Sequence, residues 1–330
     1  MKLASLKGPA RDGTLCVVDR ALERAVMVGS IAPTMQHALE NWDAVEAKLR
    51  DVAAGLAGGH ERHAFSFVEA LDAGRIAAPL PRAYEWLDGS AYLTHVERVR
   101  RARNDKVPES FYKDPLMYQG GAGTMMGPRD PMRVLSEDWG VDLEGEVVAF
   151  VADVPMGSTP AQAGERIRLV TLINDVSYRR LIPAELAKGF GFVNGKGVNA
   201  LAPVACTPDE LGAHWRDGKV HLPLHCTVNG KRLGDPNAGV DATFSLFDLT
   251  AHAAKTRDLA AGTMIGTGTI SNRDRDTGYA CLMEARLVEQ VELGEAKTPF
   301  LKFGDRVRIE MLDAGGATIF GAIDHAVQRA

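Results

Sequence analysis

The sequence predicts a mainly β, α+β fold, in which a small N-terminal β-unit with one helix precedes a larger strand-rich domain. Short apolar stretches bounded by turn residues outnumber the helical patterns, which favours sheets as the main element. The few helical patterns do not alternate with the strands, so a doubly wound parallel sheet is not expected. A segment punctuated by prolines at 77–82 predicts a domain boundary, with residues 1–80 before it and 81–330 after it.

The N-terminal β-unit contains three short strand candidates, at 1–7, 14–20 and 24–30, with a turn predicted at the Arg-Asp-Gly sequence 11–13. One helix is predicted next, because Thr34 is a suitable N-cap and apolar residues then recur at helical spacing. These apolar residues are Leu39, Trp42, Val45, Leu49, Val52 and Leu56. The sequence AGGHERH at 57–63 predicts the end of this helix.

The larger domain is predicted to be built mostly of strands. The strand candidates lie at 146–154, 168–174, 220–228, 278–293 and 306–312. Asn229-Gly230 between two extended segments predicts a hairpin. A helix is predicted at 245–258, before the sequence AAGTMIGTGTISN at 260–272, which is rich in glycine and threonine.

Composition excludes several classes of function. The chain has 330 residues, of which 45% are hydrophobic and 25% charged, and its net charge of −5 gives no basic surface for nucleic acid. No apolar run is long enough to cross a membrane, and the N-terminus lacks the apolar core of a signal peptide. The cysteines have no metal-site spacing, which predicts free thiols in a cytoplasmic protein. They are Cys16, Cys206, Cys226 and Cys281.

Glu144 and Glu146 are separated only by Gly145 near the start of a predicted strand. Because side chains alternate between the faces of a strand, the two carboxylates would point the same way and repel each other. Either nearby Lys or Arg side chains offset this repulsion on a solvated face, or the pair binds a hard divalent ion. Asp175, where the strand at 168–174 ends, offers a further oxygen ligand, or else it is a turn or cap residue.

Asp88 and His95 are seven residues apart, which would place them on one face of a helix. A single histidine is more often structural than catalytic, and the arginines at 98, 100, 101 and 103 would ordinarily form a solvated helix face.

Lys196 lies between two glycines. These glycines would let the backbone approach a ligand so that the lysine could hold an anionic oxygen, although a surface turn would look the same. The spacing is not that of a Walker loop. Glu284 follows apolar residues in a predicted, half-buried strand.

Taken in order, these residues resemble the fumarylacetoacetate hydrolase (fumarylacetoacetase) family. The resemblance covers most of residues 81–313 and rests on five motifs, LEGEVVAFV, LINDVSYR, GFVNGKG, GTGTISN and CLMEARLVE. It implies a mixed, mostly antiparallel β-roll around a metal ion, and a homodimer.

The resemblance also implies a role for individual residues. It gives as metal ligands Asp88, Glu144, Glu146 and Asp175. The catalytic residues it implies are His95 as general base, Glu284 as the group that orients it, and Lys196. Tyr118 and Thr269 would contact the substrate. A substrate-binding arginine is expected at Asn104, with Arg103 one place away.

The implied activity is metal-dependent hydrolysis of a carbon–carbon bond in a β-diketo acid such as fumarylacetoacetate, in the catabolism of tyrosine or other aromatic compounds. Mg²⁺ is the first expectation for the ion, with Mn²⁺ or Ca²⁺ as alternatives. A 2-oxoacid hydratase, decarboxylase or isomerase would use the same ligands, and a non-catalytic homologue would lack the base or its partner. Departures from the family pattern concern the substrate, since Ile182 stands where a glutamine is expected, Arg180 replaces an aspartate, and Arg98 replaces a glutamate found in short acylpyruvase-like members.

Overall fold

The computed structural model describes residues 1–101 and 107–330, without the side chains of residues 99–101. The strands of this described part, β1 to β20 in chain order, are Lys2–Leu6, Thr14–Val18, Arg24–Met27, Phe65–Ser66, Trp86–Gly89, Met117–Gly120, Met132–Val134, Val141–Asp142, Gly145–Val151, Ile167–Asn174, Ser177–Tyr178, Ala200–Leu201, Ala205–Cys206, Trp215–Arg216, Lys219–Val220, Leu224–Val228, Lys231–Gly234, Met264–Gly266, Arg306–Met311 and Ile323–Arg329. The helices, α1 to α8, are Met35–Glu40, Trp42–Ala57, Phe67–Asp72, Leu93–Arg101, Pro160–Gly164, Ile182–Leu186, Leu246–Ala253 and Leu282–Leu293. Short 3₁₀ helices lie at Glu109–Tyr112, Glu137–Trp139, Pro208–His214 and Arg275–Thr277.

One large sheet organises the molecule, with the strand order β4-β3-β2-β1-β13-β10-β9-β18-β5-β6 and β12 as a further partner of β10. A second sheet has the order β17-β16-β19-β20-β7, and two strand pairs, β8 with β11 and β14 with β15, complete the structure. Among the described strand pairs, only β5 with β18 and β7 with β20 run parallel. The fold is therefore mixed, mostly antiparallel and richer in strands than in helices, as the sequence predicts.

The three strands predicted in the N-terminal unit are confirmed as β1 to β3, and Gly13 adopts a φ of +64° in the turn before β2. The prediction of one continuous helix is wrong, because α1 and α2 are separated at Asn41. Both the backbone N–H and the side-chain amide of Asn41 donate to the carbonyl of His37, at 3.1 and 2.9 Å. Such local side-chain bonds compete with continuation of a helix. Thr34 caps α1 as predicted, by accepting from the N–H of His37.

The N-terminal strands continue the large sheet, since β1 pairs with both β2 and β13. The proline-containing segment that follows them is buried rather than exposed, with Leu80 only 1% exposed. Ser5 donates from its hydroxyl to the carbonyl of Pro79 at 2.7 Å, which fastens this segment to β1. The division into residues 1–80 and 81–330 stays a prediction.

Most elements predicted in the larger domain are confirmed, including β9, β10, β19, α7 and the hairpin between β16 and β17 at Asn229-Gly230. The single strand predicted at 220–228 is divided into β15 and β16. The strand predicted at 278–293 is wrong, because helix α8 begins at Leu282. The first two N–H groups of α8, from Leu282 and Met283, donate to the carboxylate of Asp142 at 2.8 and 2.9 Å. This contact comes from strand β8, far away in the sequence, whereas the local cap is Cys281, whose Sγ accepts from the N–H of Glu284 at 3.4 Å.

None of the described helices is long and apolar enough to cross a membrane. All four cysteines are buried and free, as expected. A cytoplasmic location stays a prediction.

Candidate metal centre and active site

Three carboxylates from three strands of the large sheet meet in its interior. Asp88 lies on β5, Glu146 on β9, and Asp175 directly after β10. Strand β9 pairs with β10 on one side and with β18 on the other, and β18 in turn pairs with β5. One oxygen from each carboxylate lies within 4.8 Å of the other two. We call Asp88, Glu146 and Asp175 the carboxylate cluster.

The position of Asp88 depends on a glycine in the neighbouring strand. Gly266 lies opposite Asp88, and a Cβ atom at this position would be 2.6 Å from Asp88 Oδ1 and 2.2 Å from the ring of Trp86. A side chain at residue 266 would therefore displace the carboxylate. Asp88 Oδ1 accepts a hydrogen bond from the backbone N–H of Gly268 at 3.0 Å.

The carboxylate cluster is buried and incompletely hydrogen-bonded. Glu146 and Asp175 are fully buried, and within the described part of the chain both oxygens of Glu146 and Oδ1 of Asp175 have no hydrogen-bond partner. Burial raises the pKa of all three carboxyl groups, and repulsion between neighbouring carboxylates raises them further. Unpartnered carboxylate oxygens that converge in this way fit a hard divalent cation such as Mg²⁺, Mn²⁺ or Ca²⁺.

Glu144, the other member of the glutamate pair, has a different environment and lies outside this group of three. Its two oxygens accept hydrogen bonds from Arg179 and from Lys196 Nζ, both at 2.6 Å. Burial acts to raise the pKa of Glu144, but these two cations outweigh it and hold the pKa well below its usual range. Each of the two interpretations of the pair therefore fits one of its members. Basic side chains offset the charge of Glu144, whereas Glu146 has no such partner among the described residues and fits a ligand of a divalent ion. A role for Glu144 as a metal ligand stays a prediction.

Lys196 connects Glu144 to the carboxylate cluster. Its Nζ lies 2.5 Å from Asp175 Oδ2 and 2.9 Å from the hydroxyl oxygen of Ser177. Burial acts to lower the pKa of Lys196, but Asp175 and Glu144 outweigh it and raise this pKa, so the lysine is a cation. Tyr118 on β6 donates to the same oxygen of Asp175 at 2.7 Å, and its ring centre lies 5.2 Å from Lys196 Nζ.

His95 and Glu284 form a second polar group, on two helices that face each other. Glu284, in the first turn of α8, is fully buried, and its Oε2 lies 3.1 Å from Nδ1 of His95 on α4. Its other oxygen accepts from Ser271 at 2.7 Å and from Arg98, one helical turn after His95. Burial acts to raise the pKa of Glu284, but these partners outweigh it and lower the pKa. We call His95, Arg98, Ser271 and Glu284 the Glu284 site.

The structure corrects the helical argument for Asp88 and His95. Asp88 lies on a strand and His95 on the helix that follows it, so the two do not share a helix face. The prediction that Glu284 lies on a strand is also wrong, as α8 shows. Asp88 and His95 nevertheless line one cavity, because β5 leads directly into α4.

A cavity of about 230 Å³ is lined by one member of each polar group, Asp88 and His95, whereas Glu146, Asp175 and Glu284 are not part of its described lining. Its lining includes the predicted site residues Asp88, His95, Tyr118, Glu144, Lys196 and Thr269. Ile182, at the start of α6, lines it as well, whereas Arg180 is exposed and donates to the carbonyl of Asp138. Arg103 and Asn104 lie outside the described residues.

Sequence reasoning missed three residues that support the site. Arg179 joins Glu144 to Asp142, to which it donates at 2.7 Å. Arg98 supports Glu284, and its position three residues after His95 on one helix was the available signal. The role of Asp142 as the cap of α8 depends on contacts that only the folded chain creates.

Comparison with known proteins identifies matches along nearly the whole chain. A family model described as "Fumarylacetoacetate (FAA) hydrolase C-terminal" matches residues 85–328, and one described as "Fumarylacetoacetase N-terminal domain 2" matches residues 1–82. An uncharacterized protein of Archaeoglobus fulgidus is 25% identical over 224 residues, 67% of this chain and 80% of that protein. "Oxaloacetate tautomerase fahd2, mitochondrial" of Xenopus laevis is 26% identical over 209 residues, 62% of this chain and 56% of that protein.

Solved structures share the fold over the full length. A probable 2-hydroxyhepta-2,4-diene-1,7-dioate isomerase from Mycobacterium abscessus has a TM-score of 0.69 and 16% identity, covering 100% of this chain and 99% of that chain. Maleylpyruvate hydrolase from Sphingobium sp. SYK-6, in complex with manganese(II) ion and pyruvate, has a TM-score of 0.66 and 14% identity, with 100% of both chains covered. At these identities the likeness concerns the fold, and it confirms the expected mixed β-roll with a smaller N-terminal unit.

Proposed function

The chain belongs to the fumarylacetoacetate hydrolase family, and we propose that it is a metal-dependent hydrolase that cleaves a carbon–carbon bond of a β-diketo acid. One observation carries this proposal. Asp88 of the carboxylate cluster and His95, which a buried glutamate holds, line the same cavity. A cation site and a general base around one cavity are the two components that hydrolysis of a β-diketo acid requires.

The residues that would hold the ion are Asp88, Glu146 and Asp175, with Glu144 as a further ligand. When bound, a divalent ion supplies Lewis-acid polarisation of the oxygens of a 2-oxo acid or 1,3-dicarbonyl group. Mg²⁺ is our first proposal, because all these ligands are carboxylates. The Sphingobium hydrolase, which shares the fold and was solved with manganese(II), supports Mn²⁺ as the next ion to test.

His95 would act as the general base. Because its Nδ1 faces Glu284, the other ring nitrogen is the atom that would take a proton from water. The hydroxide so formed adds to the carbonyl carbon remote from the substrate carboxylate. The bond between that carbon and the neighbouring methylene then breaks, and the electron pair passes to the methylene carbon, which takes the proton back from His95. The products are a carboxylic acid and a 2-oxo acid.

Glu284, Lys196 and two hydroxyl-bearing residues would assist this sequence. Glu284 stabilises the imidazolium form of His95 and keeps the ring oriented. Lys196, a cation at the cavity, would hold the negative oxygen that forms on the attacked carbonyl. Tyr118 and Thr269, which also line the cavity, are proposed to contact the substrate.

Isomerisation of a 2-oxo acid is the second candidate, and the Xenopus relative named as an oxaloacetate tautomerase favours it. Such a reaction moves a proton between carbon and oxygen and consumes no water. The same base and ion would serve it, so the residues alone do not separate the two reactions. The same holds for a hydratase or a decarboxylase on this scaffold.

Isotopically labelled water separates these candidates. The protein, loaded with Mg²⁺ or Mn²⁺, would be incubated with a series of 2,4-dioxo acids in H₂¹⁸O, and the products would be identified by mass spectrometry. A hydrolase places one ¹⁸O atom in the carboxylic acid product. If the protein tautomerised or decarboxylated these acids but left the bond between the remote carbonyl carbon and the methylene intact, the proposal would be contradicted.

We also propose that the protein is a cytoplasmic homodimer, as the family resemblance implies. Sedimentation at micromolar concentration tests the assembly. A monomer as the single species would contradict it.

A further inference from the structure

The lining of the cavity contains two chemically different sets of residues. One set is the acidic and basic residues already described, and the other is apolar. Ile182 and Leu186 lie four residues apart on α6, and Met283 and Leu287 lie four residues apart on α8, so each pair shares one helix face. Phe192 lies between them along the chain and packs edge-on against Tyr118, with 5.1 Å between ring centroids. We call these five residues the apolar wall.

The basic residues in the described lining of the cavity already have carboxylate partners. Arg179 donates to Asp142 and Glu144, Lys196 donates to Glu144 and Asp175, and His95 faces Glu284. A second carboxylate of a substrate would therefore compete with a carboxylate of the protein for each of these three described residues. A carboxylate that packs against apolar side chains loses hydration without gaining a partner of its own.

The start of helix α8 offers no anion site either. A helix N-terminus attracts negative charge because its first N–H groups lack partners within the helix. Here the N–H groups of Leu282 and Met283 donate to Asp142 at 2.8 and 2.9 Å. The position that an anion would occupy at this helix N-terminus is therefore already taken by the carboxylate of Asp142, next to Met283 of the apolar wall.

From this arrangement we infer that the substrate is a monocarboxylate whose end remote from the 2-oxo acid group is an uncharged alkyl or aryl group packed against the apolar wall. The inference rests on the proposed function and makes it more specific. The 2-oxo acid end would lie on the charged side, where the divalent ion is proposed to bind. A substrate with a carboxylate at both ends would have to place its second charge against Leu186, Phe192 and Leu287.

Two 2,4-dioxo acids of equal chain length test this inference, one ending in a methyl group and the other in a carboxylate. With the metal-loaded wild-type protein, we expect kcat/KM for the methyl-ended acid to be higher by about 10-fold or more, the range that apolar pockets give for small groups. Equal values, or a preference for the dicarboxylate, would overturn the inference while leaving the hydrolase proposal intact. If neither acid is cleaved, the hydrolase proposal fails. In that case the dissociation constants of the same two acids, measured by calorimetry with the metal-loaded protein, decide the inference. The methyl-ended acid should bind about 10-fold or more tightly than the dicarboxylate.

A charge placed on the apolar wall provides the second test. Leu186 is 46% exposed, so Leu186→Arg adds a cation without opening the core. We expect the ratio of kcat/KM values to shift by about 10-fold toward the dicarboxylate. Leu293→Arg is the matched control, because Leu293 is 56% exposed at the far end of α8 and outside the described lining. It should keep the wild-type ratio. If both variants shift the ratio equally, the apolar wall does not contact the substrate.

Discussion

The carboxylate cluster and the Glu284 site are both acidic and both buried, but they satisfy their charges in opposite ways. Glu146 has no hydrogen-bond partner for either oxygen among the described residues. Glu284 has His95 on one oxygen and Ser271 and Arg98 on the other. The first group therefore fits the proposed cation from solution, whereas the second is completed by the chain itself.

The pKa shifts of the two groups have opposite signs for this reason. Burial and neighbouring carboxylates raise the pKa of Glu146, while His95 and Arg98 outweigh burial and lower that of Glu284. Without an ion, the carboxylate cluster destabilises the folded state, whereas the Glu284 site stabilises it. The comparison teaches that a buried acid with its full set of partners can position a neighbouring group, and that one without partners is a candidate ligand for a cation.

The largest effect should come from removing the base at the Glu284 site. His95→Ala should lower turnover of a 2,4-dioxo acid by about 10²–10⁴-fold, the usual contribution of a general base. Binding of Mn²⁺, measured by calorimetry, should be almost unchanged, because the carboxylate cluster stays intact. Turnover close to that of the wild type would rule out His95 as the base.

Glu146→Gln should produce the complementary result. Replacing a charged oxygen ligand by a neutral amide should weaken Mg²⁺ or Mn²⁺ binding by more than about 100-fold. In the presence of a chelator, however, the variant should melt at a higher temperature than the wild type, because a buried, unpartnered acid has been removed. Calorimetry and thermal melts measure the two effects. Unchanged metal affinity would show that Glu146 is not a ligand.

Glu284→Gln should change stability in the opposite direction. Because the pKa of Glu284 is lowered in the folded state, its stabilising contribution is present above its ordinary pKa of about 4.5 and is lost as the pH falls through the folded pKa. We expect the free energy of unfolding of the variant to be about 1–3 kcal/mol lower than that of the wild type near neutral pH. This difference should shrink below about pH 4.5.

Urea unfolding across this pH range, in the presence of a chelator, measures that difference for wild type and variant. Turnover should fall less in Glu284→Gln than in His95→Ala, since the imidazole is retained. The double variant should be little worse than His95→Ala alone, because the two residues act as a unit. A stability difference that grows as the pH falls would contradict the conclusion that ionised Glu284 stabilises the folded state.

The smallest effect should come from Tyr118→Phe. The substitution removes one hydrogen bond to Asp175, 2.7 Å long, and should cost about 0.5–1.5 kcal/mol of stability. Metal affinity should change little, because the carboxylate itself is retained. A fall in metal affinity as large as that of Glu146→Gln would mean that Tyr118 orients a ligand, and that the carboxylate cluster is not independent of its surroundings.

Sequence patterns predicted the sheet elements well, because alternation and turn residues are local properties. The elements that were wrong have two different causes. Helix α8 is capped by Asp142 from β8, and this contact exists only after folding. The break at Asn41 depends on a local hydrogen bond that apolar spacing does not reveal.

The residues around the cavity were predicted from five motifs and a family resemblance, and the structure brings six of them to one cavity. Their partners were harder to find. The position of Arg98 three residues after His95 was one signal, but the spacing gives none for Arg179, whose significance comes from the carboxylates it meets. The sequence also could not separate Glu144 from Glu146, although one is paired with cations and the other is not.

The chain segments that build the two sides of the cavity differ in how far apart they lie in the sequence. Asp88, Glu146 and Asp175 come from separate strands of one sheet, so none can move without disturbing its neighbours. Ile182, Leu186 and Phe192 of the apolar wall lie within a single stretch of eleven residues, at 182–192. Mutation can therefore alter this short segment while the acidic side stays constant. In evolutionary terms, the proposed placement of the substrate would let this scaffold acquire new substrates by drift in one surface segment, and directed evolution should begin there.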